Sequence, residues 1–151
     1  MTMKTLNYNI RLLSFIILGF GMSLFLSACE EDAAEPSAAD VVKAKLISST
    51  WKMSSVVVDG SDQTGVYSGL NVSFTSSGFT SVNGGVVWPS SGTWEFTSEQ
   101  ATAIKRNDGL TIEIVSITDT NLKLGLTWSK STVGSGRVSS VSGAHVFNFG
   151  K

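Results

Sequence analysis

The chain contains one cysteine, Cys29, and one histidine, His145. A single cysteine excludes an intrachain disulfide. One cysteine together with one histidine is also too few for a zinc site built from Cys and His ligands. We therefore predict that the protein has no bound metal and no cofactor.

Charged residues are also few, at 15% of the 151 positions. The 11 basic residues are balanced by 12 acidic ones, so the formal net charge at pH 7 is −1. Binding to nucleic acid needs a surplus of basic side chains that neutralise phosphates. The composition therefore predicts no nucleic-acid partner, and the length supports one folded domain rather than two.

Motifs of catalytic sites are missing as well. No Gly-x-Ser-x-Gly elbow presents a serine to His145, and Gly134-Ser135-Gly136 lacks the lysine of a phosphate-binding loop. The two carboxylates of a glycosidase must face each other across a cleft, whereas Glu95 and Glu113 fall on the outward faces of their predicted strands. We therefore expect that the protein is not an enzyme.

No apolar run is long enough for a comfortable membrane-spanning helix. The longest, Leu12 to Phe25, has 14 residues and is interrupted by serine and glycine, whereas a spanning helix needs roughly 20 apolar residues. Lys4 and Arg11 give this segment a positively charged start. A charged start, a short apolar run and small residues after it are typical of a secretory signal peptide, which we assign to residues 1–28.

The end of this segment, Leu26-Ser27-Ala28-Cys29, resembles the lipobox of bacterial lipoproteins. The resemblance implies that Cys29 becomes the lipidated N-terminus of the mature protein, so the first partner we expect is a membrane, held through a lipid anchor. Each buried CH₂ of an acyl chain contributes about 0.8 kcal/mol, so two or three chains hold a protein firmly.

The residues after Cys29 are polar and poor in apolar bulk. Glu30-Glu31-Asp32 is similar to the acidic export tag that sends some Bacteroidota lipoproteins to the outside of the outer membrane, although a solvated linker has the same composition. We therefore expect an outer-membrane, lipid-anchored protein on the cell surface. Residues 29–39 include Pro36 and are interpreted as an acidic flexible tether.

Residues 40–151 contain the folded domain. Asp40–Ile47 is predicted to be a short helix, with Asp40 as its N-cap and with Val42 and Leu46 on one face. Beyond it, β-branched and aromatic residues alternate with Ser and Thr between turn signals, a pattern that predicts strands. Eight strands are proposed: Thr50–Val58, Leu70–Thr75, Phe79–Val82, one within Val86–Phe96, Ala101–Arg106, Leu110–Ile117, Asn121–Trp128 and Gly143–Phe149.

Short connections with good hairpin chemistry, such as Asn83-Gly84-Gly85 and Asn107-Asp108-Gly109, join most neighbouring strands into an antiparallel meander. No helix remains to cover the apolar face, and an open sheet leaves two unpaired edges. Pairing of the last strand with the first removes both problems. The fold we predict is all-β: an eight-stranded antiparallel up-and-down barrel with a short N-terminal helix. In the first strand, alternation places Trp51, Met53 and Val57 on one face.

Several segments of this domain resemble the lipocalin-like lipoproteins of Bacteroidota. The resemblance implies a small lipocalin-like barrel that binds an apolar or amphipathic ligand, with no established chemistry. It covers most of the mature chain. The segments that carry it are Leu46-Ile47-Ser48-Ser49-Thr50-Trp51-Lys52, Ser91-Gly92-Thr93-Trp94-Glu95-Phe96, Ile112-Glu113-Ile114 and Leu122-Lys123-Leu124.

The long connections of this barrel, after the first, third and seventh strands, all fall at the end away from the tether. Such loops often carry function. Aromatic residues with one polar atom suit a mouth that is partly wet. The candidate ligand-binding residues at this end are Tyr67, Leu70, Trp88, Trp128 and His145. An alternative is that Trp128 and His145 only plug the barrel. Five other aromatic residues are assigned to the core: Trp51, Phe74, Trp94, Phe96 and Phe149.

Two functions are compatible with these features. The first is a non-enzymatic lipoprotein that binds a small apolar or amphipathic ligand in the barrel mouth. The second is a surface interaction module, in which a filled barrel presents loops to a protein or glycan partner. An empty mouth lined by Leu70, Trp128 and His145 favours the first function, whereas a plugged mouth favours the second.

Lipidation at Cys29 gives the first testable prediction. Replacing the cysteine (Cys29→Ala) removes the thiol that carries the lipid, so the variant should move from the membrane fraction to the soluble fraction. Cell fractionation of the wild type and the variant measures this. A variant that stays as membrane-bound as the wild type would refute the lipoprotein interpretation.

Overall fold

The computed structural model describes residues 35–130, 132–134 and 137–151. The predicted signal peptide, Cys29 and most of the acidic tether lie outside these residues. The residues from Pro36 to Lys151 form one compact unit.

A short helix, α1 (Ala38–Ile47), precedes the first strand. It begins two residues earlier than predicted, and Asp40 is not its N-cap. Ser37 is the N-cap: its hydroxyl oxygen accepts the backbone N–H of Asp40 at 3.1 Å, and the Asp40 carboxylate accepts the N–H of Ser37 at 3.3 Å. This reciprocal capping box satisfies two N–H groups that a helix start otherwise leaves unpaired.

Eleven strands follow within the described residues, and eight of them are the predicted ones. The other three are a two-residue strand and the two strands of a small hairpin, all inside connections that were expected to be loops. The connection that contains the two-residue strand also contains a 3₁₀ helix, Thr64–Tyr67. The strands are β1 (Thr50–Val58), β2 (Ser61–Asp62), β3 (Asn71–Phe74), β4 (Gly78–Val82), β5 (Ser91–Phe96), β6 (Ala103–Arg106), β7 (Thr111–Ile117), β8 (Asn121–Trp128), β9 (Thr132–Gly134), β10 (Arg137–Ser140) and β11 (Gly143–Gly150).

The sheet is closed. Its strands follow the order β1-β3-β4-β5-β6-β7-β8-β11, each antiparallel to the next, and β11 pairs back onto β1. Cα partners in that last ladder run from Lys52 with Gly150 to Val58 with His145. The prediction of an eight-stranded antiparallel barrel with one short helix is confirmed.

The inward face of β1 differs from the predicted one. The pairing with β11 slips by one residue between Met53 and Ser55. A bulge of this kind inverts the alternation beyond it. As a result Val56 and Val58 are buried, and Val57 faces outward. The prediction that Val57 shares a face with Trp51 was therefore wrong.

Helix α1 covers the end of the barrel at which β1 begins. It contacts β3 and β7, which lie on opposite sides of the barrel, so the helix crosses that end. Leu46 is fully buried, and its carbonyl accepts the indole N–H of Trp51 at 2.9 Å. This end is therefore closed by an apolar side chain and a satisfied hydrogen bond.

Aromatic side chains fill the barrel interior. Trp51, Phe74, Trp94 and Phe149 are buried, as predicted, whereas Phe96 is only partly buried. The rings meet edge to face, for example Trp94 with Phe74 at 6.0 Å between centroids. Such contacts add about 0.5–1.5 kcal/mol per pair beyond the burial of apolar area.

Closure of the barrel can be tested by removing β11. A chain truncated before Ala144 loses the strand that pairs with both β8 and β1, so two edges and the aromatic interior become exposed. We expect this chain to unfold or aggregate, measured by circular dichroism and size-exclusion chromatography. Removal of Lys151 alone, which lies beyond the strand, is the control. A soluble, folded truncation would argue for an open sheet.

Candidate functional site at the mouth of the barrel

The mouth of the barrel is the end at which β1 stops and β11 begins. The three longest connections between barrel strands meet there, as predicted. The connections at the mouth are residues 59–70, 83–90, 107–110 and 129–142, whereas those at the helix end are 75–77, 97–102 and 118–120. We call residues 59–70, which contain β2 and the 3₁₀ helix, the mouth strap.

The mouth strap is fixed at its start to β11. The backbone N–H of Asp59 donates to the carbonyl of Ala144 at 3.0 Å, and the Asp59 carboxylate accepts the N–H of Ala144 at 2.9 Å. A Cβ at Gly143, whose φ is +136°, would collide with the Asp59 carboxylate. Glycine at this position therefore allows the close approach of strap and strand.

The strap inserts Tyr67 into the barrel, where it meets His145. Both residues are 1% exposed, and the Tyr67 hydroxyl lies 2.8 Å from Nε2 of His145. Nδ1 of His145 lies 2.9 Å from the carbonyl oxygen of Gly143. A carbonyl oxygen accepts, so Nδ1 carries the proton of the neutral ring, and Nε2 accepts the O–H of Tyr67. The backbone N–H of Val141 donates to the Tyr67 oxygen at 3.4 Å, which completes the chain.

Burial sets the charge states of this pair. It lowers the pKa of His145 below the ordinary value, and this effect is larger than the opposing ones of the Gly143 carbonyl and the Asp59 charge. Burial also raises the pKa of Tyr67. At neutral pH the two side chains are therefore uncharged, and Tyr67 keeps the proton that it donates.

Trp88 enters the barrel from the connection between β4 and β5. A tight turn directs the side chain inward. The backbone N–H of Trp88 donates to the Gly84 carbonyl at 3.0 Å, and a Cβ on Gly84 would overlap the backbone of Trp88. The hydroxyl of Ser81 lies 2.8 Å from the Trp88 carbonyl. The indole is 1% exposed and meets Phe147 and Phe149 edge to face. Trp88 is therefore part of the packed interior.

Arg106 was missed at the level of sequence, although it links two of the connections at the mouth. Its side chain is 1% exposed, its guanidinium lies 5.6 Å from the ring centroid of Trp88, and Nη1 donates to the carbonyl of Val87 at 2.6 Å. Asp108, on the turn after β6, pairs with the guanidinium, and this pairing holds the pKa of the Asp108 carboxyl below its ordinary value. Alternation along β6 places Arg106 on the inward face with Ile104, and that was the available signal.

The five candidate residues divide into two groups. Tyr67 and His145 touch each other, and Phe147 joins them to Trp88, with ring centroids 5.3 Å from Tyr67 and 6.0 Å from Trp88. Leu70 is fully buried, and its N–H donates to the Tyr67 carbonyl at 3.0 Å. These four fill the mouth. Trp128 is separate from them, because it is only partly buried.

Trp128 borders an open groove on the rim of the mouth. The groove has a volume of about 590 Å³ and lies between the β4–β5 connection, the β6–β7 turn and the end of β8. Its apolar lining comes from Val86, Leu110 and Trp128, and its charged lining from Asp108 and Lys130. The indole N–H of Trp128 is buried and has no hydrogen-bond partner within the described part of the chain, and the same holds for that of Trp88. We call this feature the rim groove.

Two further grooves lie along the outside of the barrel. One, of about 470 Å³, runs over β7, β8 and β11, where Gly125 leaves room between Val115 and Val146. The other, of about 420 Å³, lies over β5 and β6 and contains Glu95 and Lys105. The first is lined in part by His145, one of the five candidate ligand-binding residues, whereas the second contains none of them.

Comparison with protein-family models, with curated proteins and with solved structures finds no match for this chain. Within the described residues, no helix is both long and apolar enough to cross a membrane. No three His, Cys, Asp or Glu side chains come together as metal ligands in the same residues. The case for a function therefore depends on the geometry of the mouth.

The different surroundings of Trp128 and Trp94 can be tested by their effect on stability. Trp94 is 5% exposed and donates its indole N–H to the Gly78 carbonyl at 2.9 Å, so Trp94→Ala should lower the free energy of unfolding by about 3–5 kcal/mol. Trp128→Ala should cost about 1–2 kcal/mol, because the side chain is only partly removed from water. Chemical denaturation measures both. Equal losses would identify Trp128 as a plug of the barrel.

Proposed function

We propose that the protein is a non-enzymatic interaction module, anchored by lipid to the outer membrane and displayed on the cell surface, which binds a protein or glycan partner at the barrel mouth. The observation that carries this proposal is the contrast between a filled interior and an open rim. Tyr67, Leu70, Trp88 and His145 are each 1% exposed or less, whereas the rim groove beside Trp128 is open. A partner can reach the rim groove without displacing a core side chain.

The lining of the rim groove suits a partner of mixed polarity. Val86 is 44% exposed, and Trp128 contributes an aromatic side chain beside it. Lys130 adds a positive charge and Ser129 a hydroxyl. Aromatic side chains surrounded by polar groups are enriched where proteins bind partners, because they combine apolar area with hydrogen bonding.

A small amphipathic ligand is the second candidate. With the interior filled, its place is the rim groove, and the volume of about 590 Å³ falls within the range of roughly 300–1,000 Å³ that small-molecule sites occupy. Native mass spectrometry of the purified mature protein separates the two functions. An interaction module carries no small ligand through purification.

The partner-binding proposal is tested by photo-crosslinking on cells that display the full chain. A photoreactive residue at Val86, on the rim groove, should give a discrete adduct, whose mass spectrum shows whether it carries peptide or sugar. The matched control places the same residue at Glu99, which is exposed in the connection at the helix end. Trp128→Ala should reduce the Val86 adduct several-fold. Equal adducts from both positions, or a co-purified small molecule, would contradict the proposal.

A further inference from the structure

The mouth strap is held to the barrel in two different ways. Its first residues are fixed by main-chain bonds, through Asp59 to Ala144 and through the pairing of β2 with β1. Its second half is tied to β1 at both ends, where Thr64 Oγ1 accepts the N–H of Val56 at 3.0 Å and the carbonyl of the buried Leu70 accepts the N–H of Met53 at 2.9 Å. Near the second end, Nδ2 of Asn83 also donates to the Gly69 carbonyl at 3.2 Å.

Between these ends the chain reaches the interior through Tyr67. Within the described residues, the side chain that bonds the Tyr67 hydroxyl is His145. The side-chain bond that holds Tyr67 in the interior between these two ends therefore depends on a group that titrates near neutral pH.

The hydrogen bond between Tyr67 and His145 requires a neutral imidazole. Nδ1 already donates to the Gly143 carbonyl, so Nε2 has the free lone pair that accepts the tyrosine proton. An added proton must go to Nε2, which then becomes a donor. Two donors would face each other, and Tyr67 would have to turn its own proton away from Nε2 while its oxygen also accepts the N–H of Val141.

The other neighbours of His145 do not compensate for a charge. Among the described residues, the titratable groups that face it are Tyr67 from the strap and Asp59 from the turn after β1. Leu126, its partner on β8, and Phe147, stacked on it at 5.5 Å, are apolar. Asp59 favours the charged ring, but burial disfavours it by more. The closed strap therefore excludes the proton that an exposed histidine would take up.

We propose that residues 64–70 form a lid opened by acid: uptake of one proton by His145 releases Tyr67 from the interior and uncovers an apolar site bounded by Phe147 and Trp88. The ligand class is an uncharged apolar molecule, since Tyr67 packs against Phe147 and Phe147 meets the Trp88 ring. The proposed lid does not involve the rim groove, so the proposal does not depend on whether a partner binds there.

The sign of the effect follows from linkage. Above the ordinary histidine pKa of 6.5, neither the closed nor the open state binds the proton, and opening does not depend on pH. Below 6.5 the open state binds one proton more than the closed state, until the lower pKa of the closed state is reached. In that window the ratio of open to closed chains should rise by up to about tenfold for each pH unit of acidification.

The experiment is amide hydrogen exchange on the full chain in detergent, between pH 7.5 and 5. Exchange rates are divided by the intrinsic rates at each pH. Protection of the amides in residues 64–70 should fall by up to about tenfold per pH unit below 6.5, while the amides of the β3–β4 ladder keep theirs. Because His145 is the one histidine in the sequence, its ring resonance reports the pKa directly, and this pKa should lie below 6.5. The neutral dye Nile red should bind as the lid opens.

Two variants separate the lid from simple acid unfolding. His145→Gln can accept the Tyr67 proton but does not titrate, so it should lose the pH dependence. Tyr67→Phe keeps the ring without its hydroxyl, so residues 64–70 should exchange about five- to tenfold faster at pH 7.5 and keep the pH dependence. Three results would overturn the lid. They are an unchanged pH dependence of exchange in His145→Gln, a loss of protection in the β3–β4 ladder that matches the loss in residues 64–70, or a His145 pKa at or above 6.5. Open residues 64–70 without dye binding would overturn the apolar site.

Discussion

The antiparallel ladder between β1 and β11 is the constraint on which the rest of the structure depends. It joins the first and last strands of the domain, from Lys52 with Gly150 to Val58 with His145, and so leaves no free edge in the barrel. A closed barrel of eight strands encloses a space of fixed width. Every inward residue must therefore fit that space, and whatever enters from the connections competes for the same volume.

The strands do not fill this space by themselves. Tyr67 comes from the mouth strap and Trp88 from the β4–β5 connection, yet both are as buried as the strand residues that surround them. Their rings both meet Phe147 edge to face, at 5.3 and 6.0 Å between centroids. The mouth is therefore closed by folded connections rather than by strand ends, and its closure depends on the bonds that hold those connections.

Strand positions were largely predictable because alternation of apolar and polar residues is a local signal. The observed bounds of β1 and β8 are the predicted ones. The turn sequences account for most of the order of strands in the sheet. Ala101 was assigned to a strand, but its φ of +52° belongs to a turn, and β6 begins at Ala103. Alternation also missed the bulge after Met53, since a slip in register depends on the partner strand and leaves no local trace.

The candidate site was less predictable for a related reason. Within a strand, the alternation of side chains shows which residues point inward. A connection has no such alternation, so the inward direction of Tyr67 and Trp88 could not be predicted. Arg106 does lie on a strand, where alternation places it on the same face as Ile104. A buried cation between aromatic rings is uncommon, because the charge must be paired and hydrogen-bonded. The pairing that permits it comes from Asp108, two residues later.

The four tryptophans show how unevenly polar groups are satisfied along the barrel. At the helix end, Trp51 donates to the Leu46 carbonyl and Trp94 to the Gly78 carbonyl, both at 2.9 Å. At the mouth, the indole N–H groups of Trp88 and Trp128 are buried without a partner in the described part of the chain. A buried donor left without an acceptor costs about 1–3 kcal/mol, and the two hydrogen bonds at the helix end avoid this cost. Local opening, where it occurs, should therefore begin at the mouth, where the titratable pair and the rim groove also lie.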